Sequence, residues 1–245
     1  MQNFMKIASC CAVISLLLSA GCESDKGTES KAPSDALGYI YQGWSHYTSG
    51  LYTEAYQSFE TGAEMAQDGY LEAYQDSIAA VVVGDSSAVA EASQRMSYNQ
   101  NLIVMAASGI GWTTIKDINP ASGTLAFEQA LAIDPNNAEV LAGYAIHLHT
   151  IEEWQQSNNR ATAALVQDPT WDFEHDNQTN YLDLRLLRAE NYFVLADYQA
   201  SLDEALALND IVNYDSSLGP EDFNLATIEG KSALIELIEA LDKII

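Results

Sequence analysis

The sequence is poor in residues that crosslink a chain or break helices. Its 245 residues include 3 cysteines, 5 prolines and 14 glycines. Cys10 and Cys11 lie in an apolar leader-like stretch, so only Cys22 stays outside it and an internal disulfide is excluded. Stability must therefore come from packing, for which a hydrophobic content of 48% is sufficient. The small number of turn residues favours helices over a turn-rich β-sandwich.

Basic residues are also scarce. Lys and Arg total 10 against 35 Asp and Glu, which gives a formal net charge of −25. Binding to nucleic acid depends on basic side chains that neutralise phosphates, so we expect no nucleic-acid partner. The acidity is explained equally well by a basic protein partner and by adaptation of a whole proteome to salt.

Motifs of catalysis and metal binding are missing. The chain has no Gly-x-Ser-x-Gly, no phosphate-binding glycine loop and no His-Glu-x-x-His. His147 and His149 are two residues apart on a predicted helix, about 200° from each other, so they cannot share one metal ion. His175 lies in an acidic cluster, 172–176, whose spacing fits no EF-hand and which is interpreted as a solvated loop. We therefore expect no enzyme activity, no metal site and no cofactor.

The uncharged stretch from Ile7 to Ala20 is too short to cross a membrane. Its 14 residues match the apolar region of a secretory signal, whereas a membrane helix needs about 18. The residues that follow, Ser19-Ala20-Gly21-Cys22, resemble the lipobox of bacterial lipoproteins. This resemblance implies that residues 1–21 are a lipoprotein signal peptide and that Cys22 carries acyl chains such as palmitate. A plain secretory signal with a free Cys22 is the alternative.

Residues 22–35 are predicted to form the acylated cysteine and a flexible tether. After Cys22 they contain no large apolar side chain. More than one acyl chain gives stable anchoring, so we expect a lipid bilayer as a partner through Cys22. The resemblance places the protein in the cell envelope, and Glu23 after the cysteine favours the outer membrane, facing the periplasm, if the source is Gram-negative.

A spacing of 34 residues marks the middle of the chain. Asp134-Pro135 and Asp168-Pro169 are 34 residues apart, and each proline follows an alanine by five positions. The segment 126–137 resembles the end of a tetratricopeptide (TPR) repeat, a family with this period, and the segment 43–59 resembles its first helix and turn. The resemblance covers residues 36–215 and implies an all-α solenoid of about five helix pairs.

Placing Pro135 at repeat position 32 defines the expected units. They span 36–69, 70–103, 104–137 and 138–171, with a fifth at 182–215 that is displaced by a loop insertion of about ten residues. Small residues at the close-contact position of successive first helices are Gly43, Gly111, Ala145 and Ala189. Residues 220–245 are predicted to contain an amphipathic helix that caps the last unit.

The TPR resemblance also implies a concave groove that binds extended peptides. Positions 2, 5, 9, 12 and 13 of each first helix line the groove in this family, and here they are mostly apolar. A clamp for acidic tails is excluded because only one of these residues is basic. The expected groove residues are Trp44, Tyr47, Tyr74, Ile78, Val82, Met105, Trp112, Ile115, Lys116, Ile146, His149 and Phe193. A register error of one or two residues is the alternative, and it would move many of them into the core.

These features predict a membrane-anchored TPR scaffold lipoprotein that binds a peptide segment or protein partner in the cell envelope. Trp112, at the centre of the array, is the expected binding hot spot. A second class of function is also consistent with the sequence. This second class is that of transporter-associated TPR lipoproteins, which the chain also resembles and in which the solenoid encloses a hydrophobic small molecule.

Overall fold

The computed structural model describes residues 33–116 and 120–245, and its regular structure there is helical. The predicted signal peptide, Cys22 and most of the tether lie outside the described residues. The nine α-helices in the described ranges pack in succession, which confirms the predicted all-α solenoid. Their bounds are α1 Ala36–Thr48, α2 Tyr52–Val83, α3 Ser86–Lys116, α4 Pro120–Ile133, α5 Ala138–Thr150, α6 Trp154–Gln167, α7 Tyr181–Val194, α8 Tyr198–Val212 and α9 Ile228–Asp242.

Polar residues that precede the helices fix where several of them begin. The Asp35 side chain accepts a hydrogen bond from the Gly38 amide at 2.8 Å at the start of α1. The Asn180 side chain accepts from the Leu182 amide at the start of α7, and the Asn180 amide donates to the Asp183 carboxylate at 2.7 Å. Each cap satisfies backbone amides that have no partner within the helix. Within the described residues, no helix is both long enough and apolar enough to span a bilayer.

The second and third helices are much longer than a repeat pattern requires. α2 has 32 residues and α3 has 31, and they are joined by a tight turn at Gly84, whose φ of +73° suits glycine. The expected unit boundaries at 69/70 and 103/104 lie inside these helices. Repeat position 32, which holds Pro135 and Pro169 in later units, holds Gln67 and Asn101 here. No proline interrupts the helices, so expected unit two becomes the outer part of a long helical hairpin.

We expect that Gln67→Pro will destabilise the protein by about 3 kcal/mol or more, because proline removes a hydrogen bond and clashes with the preceding turn inside a continuous helix. Gln67→Ala is the matched control and should be close to neutral. Urea denaturation of both variants measures the difference. Equal stability of the two variants would show that the chain bends at this position as the repeat pattern predicts.

Glycines allow the helices around the core aromatic rings to approach closely. Phe59 is fully buried between Gly43 of α1 and Gly109 of α3. A Cβ atom at Gly43 would lie 2.6 Å from the Phe59 ring. Gly111 and Gly143 flank Phe127 in the same manner. Gly43 and Gly111, two of the small residues that the sequence places on the first helices, thus lie against large buried rings.

A buried serine occurs at equivalent positions in two successive helix pairs. Ser157 donates to the Ala145 carbonyl at 2.8 Å, and Ser201 donates to the Ala189 carbonyl at 2.7 Å. The two pairs are 44 residues apart, the 34-residue period plus ten inserted residues. Leu234 and Leu241 of α9 then pack with α8 residues in a second buried cluster at the C-terminal end of the array.

Candidate interaction surfaces

The insertion lies on the aromatic residues of the expected groove. Trp171 ends the expected fourth unit, and with the first residues of the insertion it forms the segment 171–176, in which aromatic and acidic side chains alternate: Trp-Asp-Phe-Glu-His-Asp. Alternate side chains of an extended backbone point to the same side, and Trp171 and Phe173 are 4% and 1% exposed, whereas Asp172 and Glu174 are exposed. The Phe173 amide donates to the Thr179 carbonyl at 2.9 Å, which closes the insertion into a compact turn.

Stacked rings join the insertion to the solenoid. The Phe173 ring stacks on Trp112 with centroids 3.9 Å apart and an interplanar angle of 16°. His175 stacks on Trp44 at 3.8 Å and 9°. Aromatic pairs of this kind contribute about 0.5–1.5 kcal/mol each beyond the burial of their area. We call the rings that meet here the aromatic cluster: Trp44, Tyr47, Trp112, Trp171, Phe173 and His175.

Polar groups at the edge of the aromatic cluster also belong to this internal contact. Lys116, the basic residue of the expected groove, donates to the Asp176 carboxylate at 3.2 Å. Burial lowers the pKa of the stacked His175 imidazole, and nearby Glu174 opposes this effect. Burial, and then the Asp176 charge, raise the pKa of the Tyr47 hydroxyl well above its usual value. An open pocket of about 600 Å³ lies beside these residues.

The groove prediction needs correction for three of its aromatic residues. Trp44, Tyr47 and Trp112 are 6%, 4% and 2% exposed because the insertion covers them, so they do not form an open peptide groove. The interpretation of 172–176 as a solvated loop is also wrong for Phe173 and His175, which pack on the solenoid. The two-residue alternation of aromatic and acidic side chains is the sequence signal for this buried segment.

The remaining groove residues of units three to five mostly stabilise the fold. Met105, Ile115 and Ile146 are partly buried against the main core, and Phe193 packs against the C-terminal cluster. His149 shares a hydrogen bond of 2.8 Å with Asn191, which in turn contacts other buried polar side chains of α6. Within residues 33–116 and 120–245, no three His, Cys, Asp or Glu side chains are placed to hold a metal ion.

The outer part of the α2–α3 hairpin has almost no core of its own. Between residues 70 and 101 the buried residues are Ala73, Ala80 and Ala92. The large apolar side chains of α2 there point to solvent instead, with exposures between 43% and 80%. Five of these residues share one side of the helix, and we call them the apolar stripe: Leu71, Tyr74, Ile78, Val81 and Val82. Val83, which is 76% exposed, lies on another side of α2. Tyr74, Ile78 and Val82 are therefore the expected groove residues that are accessible.

The charged residues of the hairpin lie away from the apolar stripe. At about 100° per residue, the stripe spans roughly 100° of the α2 surface, while Glu72 and Asp76 lie on a different side of the helix. Arg95 of α3 pairs with Asp76 at 2.7 Å, which places the charges of both helices on one face of the hairpin. Glu91 lies on the same side of α3 as Arg95, one turn away.

Among the helical residues between 70 and 101, none on the opposite face of the hairpin is charged, and Asp85 lies in the turn that joins the helices. Helical geometry places next to the stripe those α3 residues that lie away from Arg95. They are Val89, Ser93, Met96, Ser97 and Gln100. We call these residues, together with the apolar stripe, the uncharged face.

The helix pairs, their stacking and the C-terminal helix define a TPR-like α-solenoid with an unusually long hairpin. No protein-family model matches the sequence, and no curated protein is significantly similar to it. Among solved structures, MamA from AMB-1 aligns with a TM-score of 0.40 and 17% identity over 74% of this chain and 94% of that chain. Residues 41 to the end of MamA from Desulfovibrio magneticus RS-1 align with a TM-score of 0.39 and 15% identity over 76% of this chain and 99% of that chain.

Proposed function

We propose that this protein is a non-enzymatic scaffold lipoprotein of the cell envelope that binds a protein partner through the uncharged face of its long hairpin. The observation that carries this proposal is the exposed apolar stripe, whose members Ile78 and Val82 are 50% and 80% exposed. Contiguous apolar patches of several hundred Å² are uncommon on monomers and mark interaction sites. The TPR-like solenoid supplies a rigid support for such a face.

The concave side is less suited to an external ligand. A peptide bound there would have to displace Trp171 and Phe173, which are 4% and 1% exposed. Burial of each large side chain contributes about 1.5–3 kcal/mol, so displacement is costly. An enclosed hydrophobic small molecule would compete with the same two rings. We therefore favour a protein partner on the hairpin over both a groove-bound peptide and a small molecule.

Photo-crosslinking in intact cells tests the partner surface. A photoreactive residue at Val82 lies on the uncharged face, and the same residue at Tyr98, which is 54% exposed on α3, lies outside that face and is the control. We expect one identified polypeptide to be captured from Val82 and not from Tyr98. Equal capture from both positions, or capture from Tyr98 alone, would contradict the proposed surface.

The lipid anchor at Cys22 is part of the proposal and has its own test. We expect the intact mass of the membrane-extracted protein to include acyl chains, and we expect Cys22→Ala to move the protein to the soluble fraction because the thiol that carries the lipid is lost. Cys22→Ser is a second variant with the same expected result. If both variants still cofractionate with membranes and the native mass shows no acyl chain, the anchor is wrong.

A further inference from the structure

We infer that the occupant of the uncharged face is a second copy of this chain, packed hairpin against hairpin about a two-fold axis. The inference rests on the proposed function, because it names the partner of the same surface. The hairpin itself supplies the first reason. Its outer part buries only three alanines, whereas a two-helix hairpin needs a larger apolar core to be stable, and four helices in a bundle supply one.

The charge distribution favours a second copy. Each chain has a formal net charge of −25, so two copies repel wherever carboxylates face each other. Between residues 71 and 82 the uncharged face lets two acidic chains meet without that repulsion, since Glu72 and Asp76 point elsewhere and the exposed Glu64 and Asp68 lie beyond its N-terminal end. A partner with basic residues around its apolar patch would find no carboxylate to pair with beside the stripe, because Ser93, Ser97 and Gln100 are uncharged. A membrane surface is a poor occupant because amphipathic helices that bind bilayers carry basic side chains.

A two-fold axis at Ile78 gives matched contacts along the stripe. Tyr74 and Val82 lie four residues to either side of Ile78, about 6 Å along the helix. In an antiparallel pair, Ile78 therefore faces Ile78 of the second copy, and Tyr74 faces Val82 of the second copy. This is the isologous contact of a C2 dimer, in which one patch pairs with itself.

The size of the face limits the interface that two copies can form. The outer hairpin is roughly 20 Å long and about 20 Å wide across its two helices, so a dimer would bury on the order of 1,000 Å² in total. This area is near the lower limit for a specific interface. We expect a dissociation constant in the micromolar range for the free protein. Confinement of both copies to one membrane surface would raise the fraction of dimer.

Cysteine crosslinking of the full chain in isolated cell envelopes tests this pairing. Ile78→Cys should give a disulfide-linked dimer on mild oxidation, because a two-fold axis brings the two Cβ atoms within disulfide range. Tyr98→Cys is the matched control and should stay monomeric, and the unmodified chain controls for Cys22. Circular dichroism of both variants confirms that the helical fold is kept. A dimer from both variants, or from neither, would overturn the inference.

Salt dependence and a charge substitution give a second readout. Sedimentation of the full chain in detergent should show stronger self-association as salt screens the repulsion between two acidic copies. Ile78→Glu should weaken association at least tenfold, because it places two carboxylates at the axis, whereas Tyr98→Glu should not. Weaker association at high salt would contradict self-pairing. If the photoreactive residue at position 82 captures a different protein while Ile78→Cys gives no dimer, the inference fails and the proposed function stands. If the photoreactive residue captures no protein, the proposed function fails.

Discussion

Replacing Trp112 with alanine is expected to lower the free energy of unfolding by about 3–5 kcal/mol, the usual cost of truncating a large buried aromatic. Trp112 is 2% exposed and stacks on Phe173 at 3.9 Å. For a domain of this size, such a loss corresponds to a melting temperature lower by about 10 °C. Urea denaturation and a thermal melt of the full chain measure it.

Tyr98→Ala is the matched control for this measurement. Tyr98 is also a large aromatic residue of α3, but it is 54% exposed, so its truncation should change the stability by less than about 1 kcal/mol. If Trp112→Ala melts at the same temperature as the unmodified protein, Trp112 faces an open groove. In that case it would be the binding hot spot that the repeat pattern predicts.

Phe173→Ala is expected to be similarly destabilising, by about 3 kcal/mol or more. Phe173 is 1% exposed, and it contacts Trp112, Trp44 and Tyr47 although it belongs to an insertion that the repeat does not require. The adjacent Glu174→Ala should be close to neutral, because that side chain is exposed. Urea denaturation of Phe173→Ala and Glu174→Ala shows whether the insertion contributes to the stability of the fold. Equal stability of the two variants would mean that it does not.

The double variant of Trp112 and Phe173 shows whether the two rings act together. Residues in contact usually show a coupling energy of about 0.5–3 kcal/mol, so the combined loss should be smaller than the sum of the single losses. Additive losses would mean that the insertion does not rest on Trp112. A neutral Phe173→Ala would mean that the concave side is open in solution.

The sequence predicted the solenoid because helix periodicity and the Asp-Pro pairs are local signals. Pro135 and Pro169 end their helices by a steric effect that requires no knowledge of the rest of the fold. The same rule, applied to Gln67 and Asn101, indicates helices that continue. The 34-residue period, extended to the N-terminal units, predicts unit boundaries at positions where the structure has continuous helix.

The burial of Trp44 and Trp112 was harder to predict, since it depends on contacts between residues distant in sequence. The alternation around Phe173 indicates an extended segment with one buried face, but it does not indicate which surface that face covers. Trp44 and Trp112 lie about 130 and 60 residues before Phe173, and only the stacked array brings them together. Ile78 and Val82 are accessible because they lie on the outer part of the long hairpin, and their role in binding stays a prediction.

Hydroxyl-radical footprinting of side chains compares the aromatic cluster with the apolar stripe most directly. The measurement is made on the dilute protein and on cell envelopes. We expect Trp112 and Phe173 to be weakly oxidised in both samples, because the insertion covers them. Tyr74 and Ile78 should be oxidised in the dilute protein and protected in envelopes, while Tyr98 should react equally in both. Strong oxidation of Trp112 in the dilute protein, or protection in envelopes that appears at Trp112 and not at Tyr74, would contradict binding through the hairpin.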